Sequence, residues 1–371
     1  MKKKSIRQFK STLKKHLKGN LDFTLAADYY TDESWLCEET EQLLKLEWHC
    51  LGRSEEIPGP GNYFTLDLLE EPLLVVRGED KVIRVLSNVC RHRNMKVAEG
   101  SGTSKSFVCP YHAWSYKTDG TLLRAPYIEG LDKKKCALPE FKSEIWQGFI
   151  YVNLSDEAKP LAPRLKGLDK ILENYHSADM HHVFVEEGIW EANWKCLVEN
   201  FMEGYHLSRV HPQTLGGRTP TQLCKKYPGG NGYTGYKAYY PPTAPKRAEG
   251  HQDLTDDEKN CSTLFCVYPS HVASQSKDVL AYITLQPAGA NQVKIRWGLS
   301  VYDANLPQPE IDAIIDLWKQ INSEDKAKLG KLQSALHSRH AHAGPLAPDD
   351  LEGTIRDFHA YLARHLATDS K

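Results

Sequence analysis

The chain has 371 residues, in which 47 Lys and Arg balance 48 Asp and Glu and hydrophobic side chains make up 40%. That length supports one large domain or two ordinary ones, with an ample core and no need of disulfide staples. Near-neutral charge gives no general pull toward nucleic acid or an anionic membrane surface, and no apolar run approaches the roughly 20 residues of a membrane span.

Residues 1–45 are predicted to be a helical N-terminal segment packing on the catalytic domain that follows later in the chain. Met1 to Lys18 is basic but lacks the apolar stretch of a secretory signal, so its lysines are expected on an exposed helix. Thr31-Asp32-Glu33-Ser34 offers a second helix start ahead of Trp35, Leu36 and Leu43-Leu44. From Trp48 to about Leu154 the pattern changes to short β-rich runs such as Leu73-Leu74-Val75-Val76, Lys81 to Val85 and Phe149 to Val152. Turn signals interrupt them at Pro58-Gly59-Pro60-Gly61 and Thr118-Asp119-Gly120. A small antiparallel domain over 46–158 is expected, with Pro160 and Pro163 at its boundary.

Two loops of that domain read Cys90-Arg91-His92 and Cys109-Pro110-Tyr111-His112, together C-x-H-x16-C-x2-H. Two thiolates on one iron and two imidazoles on the other are the ligand set of a Rieske [2Fe–2S] cluster, whose raised potential suits receiving an electron and passing it on. Zinc is the alternative for Cys and His at such offsets, although structural zinc motifs more often use C-x2-C pairs. Of nine cysteines, those at 37, 50, 136, 196, 224, 261 and 266 are scattered without pairing, as expected of reduced thiols in a cytoplasmic protein.

Beyond residue 159 a strand is predicted around His182 to Glu186, then a helix from Ile189 to Tyr205 on the intervals of Trp190, Trp194, Leu197, Val198, Phe201 and Met202. Glu203, His206 and His211 form E-x2-H-x4-H, with the first histidine expected on that helix. Pro212 disfavours the α conformation at His211, so the helix should end there and let the second imidazole turn toward the first. Two histidines and one carboxylate on one face of an octahedron make a mononuclear ferrous site. Asp303, Asp312, Asp316, Asp325, Asp349 and Asp350 compete for the carboxylate on residue type alone. Between Gly216 and Asn260 lies a long connection without clear periodicity, holding Tyr227, Tyr233, Tyr236, Tyr239 and Tyr240; its length suggests a lid or binding loop. Strands near Leu264 to Val267, Val279 to Leu285 and Val293 to Ser300 follow, then a long helix from Pro309 to about Leu336.

From about Tyr29 to the C-terminus the chain resembles the large subunits of Rieske non-heme iron oxygenases. The residues that carry this are Asn88-Val89-Cys90-Arg91-His92-Arg93, Cys109 to Trp114, Asn193-Trp194-Lys195, Glu199-Asn200-Phe201, the E-x2-H-x4-H run and Ser323-Glu324-Asp325. The resemblance implies an α+β chain, with an antiparallel-β Rieske domain (46–158) followed by a helix-grip catalytic domain (159–371) of antiparallel sheet and long helix. It implies a [2Fe–2S] cluster on Cys90, His92, Cys109 and His112, and a mononuclear Fe(II) on His206, His211 and Asp325. Asn200 is expected beside the metal. It further implies an NAD(P)H-dependent flavin or iron–sulfur reductase as electron donor, directly or through a ferredoxin, with O2 and a small molecule as substrates. Head-to-tail homotrimers are implied too, in which Glu203 links His206 to His112 of a neighbour.

Glutamate at position 203, where most relatives carry aspartate, leans toward the branch acting on carnitine, choline or glycine betaine. Tyr205, Tyr233 and Tyr236 are then candidates to surround a quaternary ammonium by cation–π attraction, though tyrosines in such a loop also serve as plain packing. The alternative substrate is an aromatic acid, undergoing ring hydroxylation, dihydroxylation or O-demethylation. A further departure is Asn94, where relatives have glycine; asparagine tolerates a left-handed backbone better than most residues.

Overall fold

The computed structural model describes residues 4–245 and 248–367. The chain divides into two units, Lys45–Lys159 and a second formed by Met1–Leu44 with Pro160–Lys371. Both are antiparallel, built from hairpins and closed by long-range pairings such as Trp48–Arg53 with Phe149–Asn153 and His181–Trp190 with Val293–Val301, and the second adds helices.

In the smaller unit a seven-stranded sheet runs in the order Trp48–Arg53, Phe149–Asn153, Glu140–Trp146, Ile83–Ser87, Glu71–Arg77, Asn62–Leu68 and Ser101–Thr103. A three-stranded sheet of Ser106–Val108, Ser115–Lys117 and Leu122–Arg124 accompanies it. Alternate residues of the central strands feed two cores. Leu73, Val75 and Val85 join Ile150 and Val152, whereas Leu74, Val76 and Leu86 join Phe107, Trp114, Tyr116 and the side chains of Cys90 and Cys109. The second core therefore underlies both predicted ligand loops.

In the larger unit another seven-stranded sheet runs His181–Trp190, Val293–Val301, Val279–Pro287, His271–Gln275, Cys261–Val267, Tyr233–Tyr239 and Cys224–Lys226. The long helix Gln308–Leu336 contributes Ile321, Asp325, Leu329 and Gln333 to the interior, a stripe of four-residue spacing. A second C-terminal helix, Asp349–Leu366, buries Ile355, Phe358, Tyr361 and Leu362. The N-terminal helix Glu33–Gln42 is capped by Asp32, whose carboxylate accepts from the Ser34 and Trp35 amides. Its Glu39 is buried against Lys195 (2.8 Å) and Trp194 Nε1 (3.0 Å). Removing one partner of such a pair would leave an uncompensated buried charge, so this contact fixes the helix that precedes the histidines.

Two expectations are corrected. The helix predicted over 189–205 is only Trp194–Phe201, because the strand continues to Trp190 and Asn193 caps the helix by accepting from the Lys195 amide. His206 instead precedes a separate four-residue helix, Leu207–Val210. The predicted tyrosine-rich lid contains two strands of the sheet. The run Tyr233–Tyr239 hides its period because Gly235 interrupts it, and a Cβ there would lie 2.2 Å from the Leu264 carbonyl oxygen.

Candidate metal centres

The two loops of the smaller unit are built alike. Asn94 and Ala113, each four residues beyond a cysteine, both have left-handed backbones, with φ of 60° and 58°. The Asn94 amide donates to the Cys90 carbonyl at 3.0 Å and the Ala113 amide to the Cys109 carbonyl at 3.0 Å. The cysteine amides in turn donate to Met95 O and Trp114 O. Asn94 thus adopts the conformation that glycine would otherwise supply.

Cys90 and Cys109 are buried, while His92 and His112 stand at the exposed tips with ring centroids 4.7 Å apart. His92 stacks on Trp114 at 5.1 Å. The Tyr116 hydroxyl lies 3.3 Å from Cys90 Sγ and accepts from the Arg91 amide at 3.0 Å. Burial raises the Cys109 thiol above its ordinary pKa, and the adjacent Cys90 adds to the rise; a bound metal would instead hold both as thiolates. Sulfurs inside and imidazoles outside suit a two-iron cluster.

The larger unit has such a set in His206, His211 and Asp325, whose donor atoms lie within 4.8 Å of one another. Glu203 shapes the approach. Its carboxylate accepts from the Tyr205 and His206 amides and meets His206 Nδ1, so the chain turns before the short helix. His211, at φ −114° and ψ 48°, then leaves helical geometry ahead of Pro212. Gly204 is needed within the turn, since a Cβ would meet Cys224 Sγ at 2.5 Å.

Each imidazole presents Nδ1 to a glutamate and Nε2 to the aspartate. His211 Nδ1 is 2.7 Å from Glu324, which also accepts from Thr214 Oγ1 at 2.7 Å. Asp325 Oδ1 is 3.1 Å from His211 Nε2 and 3.7 Å from His206 Nε2. His211 Nε2 and Asp325 Oδ1 are nonetheless buried without a hydrogen bond. Buried polar atoms left so are costly, and a cation between them would satisfy both. Burial lowers the His206 pKa, but the Glu203 carboxylate overrides this and carries it above the ordinary value; Asp325 and Glu324 do the same for His211. A cation at this position would compete with protons for both imidazoles.

The competing aspartates are not in that set, although Asp303 lines the cavity beside it. Asp303, Asp312, Asp316 and Asp349 are exposed, and Asp350 pairs with Lys225 at 2.7 Å. A cavity of about 420 Å³ adjoins the cluster. Asn200 and Tyr236 line it, with Phe201 and Tyr240, which the sequence marks only as part of the helix and of the tyrosine-rich connection, and Trp318, which it does not mark at all. Tyr236 is buried and donates to the Glu203 carbonyl at 3.1 Å. The candidates Tyr205 and Tyr233 do not line it. Tyr205 is 58% exposed, and Tyr233, on the opposite face of its strand, packs over Gly167. Strand alternation separates Tyr236, Ala238 and Tyr240 from Tyr233, a signal usable once the strand is known.

Residues 47–141 match the Rieske [2Fe-2S] domain, and residues 172–368 match the ring hydroxylating alpha subunit catalytic domain. The chain belongs to the ring-hydroxylating alpha-subunit family. Members combine a Rieske cluster with a mononuclear iron, and both donor sets described above fit that pair. The carnitine monooxygenase oxygenase subunit of Escherichia coli K12 is 34% identical over 198 residues, 51% of this chain and 52% of that protein. The glycine betaine monooxygenase oxygenase subunit of Pseudomonas aeruginosa UCBPP-PA14 is 34% identical over 199 residues, 52% of this chain and 46% of that one. The chain thus spans about half the length of the curated relatives it matches. In fold it is similar to the quaternary ammonium Rieske monooxygenase CntA in complex with L-carnitine, with TM-score 0.82 and 23% identity over 94% of this chain and 97% of that one. Naphthalene 1,2-dioxygenase from Rhodococcus gives TM-score 0.82 and 20% identity over 98% and 99%.

The cluster ligands can be tested alone. Cys109→Ser is expected to abolish the electron paramagnetic signal of the reduced Rieske cluster while mononuclear iron is retained, because the two donor sets belong to different units. A surviving signal would remove Cys109 from the set.

Proposed function

We propose that this chain is the terminal oxygenase component of a Rieske-type monooxygenase system, hydroxylating a C–H bond beside the nitrogen of a quaternary ammonium compound. One observation carries this reading. The His206–His211–Asp325 cluster opens on a cavity with both aromatic and acidic walls. Phe201, Tyr236, Tyr240 and Trp318 supply ring faces, while Asp278 and the exposed Glu249, Asp303 and Glu310 supply negative charge against Arg218 and, beside Glu249, Lys277. Such a lining suits a cation on electrostatic grounds. Carnitine and glycine betaine, named in the relatives, pair that cation with a carboxylate, for which Arg218 is the complementary group.

When bound, the cluster and the mononuclear iron supply electron relay and dioxygen activation. The chain's own residues set the conditions. Glu203 and Glu324 hold protons on His206 Nδ1 and His211 Nδ1, which directs both Nε2 lone pairs toward Asp325 and raises their basicity. Leu207, Leu215, Leu264, Leu317 and Ile321 give the cavity an apolar lining that disfavours water beside the donors. Hydroxylation places one oxygen atom in the C–H bond, and the other leaves as water with two electrons and two protons. The resulting carbinol then loses its N-bound carbon as an aldehyde: the C–N pair stays on nitrogen as the amine, and the hydroxyl proton departs. Electrons come from an NAD(P)H-dependent reductase, directly or through a ferredoxin. A head-to-tail homotrimer belongs to the same proposal, with Glu203 joining His206 to His112 of the partner subunit.

A second reading, oxygenation of an aromatic acid, is favoured by Arg218 in the cavity. The benzene 1,2-dioxygenase alpha subunit of Pseudomonas putida also matches more of this chain, at 29% identity over 320 residues, 75% of this chain and 70% of that one. Calorimetric titration separates the two. A neutral tert-butyl analogue of the betaine is expected to bind more weakly than the cation by about 1–3 kcal/mol, if two or three rings surround it. Equal binding would remove the ammonium-recognition role.

A further inference from the structure

Two histidines and an aspartate meet at the surface of the larger unit, away from the iron-facing donors. His176 joins the short turns Glu173–Tyr175 and Ser177–Asp179 with a φ of 48°. A left-handed backbone is unfavourable for a residue other than glycine and persists only where its surroundings hold it. From there His176 Nε2 reaches Asp253 Oδ2 at 2.8 Å. His251 Nδ1 lies 3.4 Å from the same oxygen, and the two imidazole centroids are 3.7 Å apart. Asp179 Oδ2 stands 3.9 Å from His176 Nδ1. The donor atoms of His176, His251 and Asp253 all fall within 4.8 Å of one another.

We propose that His176, His251 and Asp253 form a surface zinc site that fastens part of the cavity wall. Two imidazoles and a carboxylate are suitable zinc donors, and tetrahedral ligands at about 2.0–2.2 Å from the metal sit roughly 3.3–3.6 Å apart. The donor separations of 2.8 and 3.4 Å lie near that range, and the imidazoles, now stacked with centroids 3.7 Å apart, must turn apart about their side-chain bonds for both nitrogens to aim at one metal. On binding, zinc displaces the proton between His176 Nε2 and Asp253. It also takes the His251 Nδ1 lone pair that now accepts the Asp253 amide at 3.2 Å. Water completes the shell.

The location gives the site its consequence. Ala248 and Glu249, just before His251, line the cavity. Gly250 is pressed against the backbone of Lys277, where a Cβ would lie 2.0 Å from the carbonyl oxygen. Zinc would replace the His176–Asp253 hydrogen bond by a firmer link, holding residues 248–255 to the turn at His176.

Equilibrium dialysis of the iron-loaded protein against micromolar zinc, with zinc and iron counted together, tests this. Wild type should take up one zinc per chain with its iron unchanged. Loss of a mere supporting contact weakens metal binding about 10–100-fold, so loss of a ligand in His251→Gln should weaken it by at least ~10-fold. His176→Asn, which keeps a residue tolerant of the left-handed backbone, should do the same. Zinc should also slow amide hydrogen exchange over 248–255 in wild type and not in either variant. Equal zinc uptake by all three proteins, or uptake matched by loss of iron, would overturn the site. Bound zinc without protection of 248–255 would overturn the fastening role.

Discussion

Asp325→Ala is expected to strip the mononuclear iron and halt product formation, while the Rieske chromophore and its paramagnetic signal persist. The aspartate is the only acid facing both Nε2 atoms among the described donor sets, and its Oδ1 is buried without a hydrogen bond. Removing it leaves two imidazoles and no anionic donor. The adjacent Glu324→Ala is the informative control. Glu324 meets His211 through Nδ1, on the ring's far side from Asp325, so its loss should weaken iron binding about 10–100-fold without abolishing it. Iron analysis of the two variants beside wild type separates them. Iron retained in the Asp325 variant and absent in the Glu324 variant would exchange their roles.

Glu203→Gln is expected to have the second largest effect. The substitution keeps size and most hydrogen bonding but removes the charge that holds the His206 Nδ1 proton. Both iron centres should load, yet reoxidation of the reduced cluster after mixing with substrate and O2 should slow severely. Stopped-flow absorbance of the Rieske chromophore reads this in a single turnover. Wild-type rates in the variant would reduce Glu203 to a local turn-former, the role its bonds to the Tyr205 and His206 amides already give it.

How far these sites could be read in the sequence depended on how local their geometry is. The Rieske loops were legible because four residues of two uncommon types, Cys and His, stand at fixed offsets, and Asn94 kept the left-handed position glycine usually takes. The histidine pair was legible for the same reason, although its helix was drawn too long. Asn193 starts that helix, and the Glu203 side chain competes with the backbone for the amides that follow. Choosing Asp325 rested on resemblance, yet a physical signal existed. Ile321, Asp325, Leu329 and Gln333 recur every four residues on the buried stripe of one helix, so this acid, unlike Asp312 or Asp316, falls on the inward face. The substrate tyrosines were the poorest reading. Without the strand pairing of Tyr233–Tyr239 against Cys261–Val267, nothing local separates Tyr236, which faces the cavity, from Tyr233, which faces away.

Oxygen uptake tests the central claim most directly. The cluster- and iron-loaded protein, supplied with NAD(P)H and a matched reductase, would be offered carnitine, γ-butyrobetaine, choline, glycine betaine and a set of aromatic acids, with aldehyde and amine products quantified alongside. The account predicts uptake coupled to a quaternary ammonium compound, with formaldehyde or trimethylamine formed in proportion to the oxygen consumed. Coupled turnover of aromatic acids alone would contradict the substrate assignment, and no substrate-dependent uptake by the fully loaded protein with any of these compounds would contradict the proposed activity.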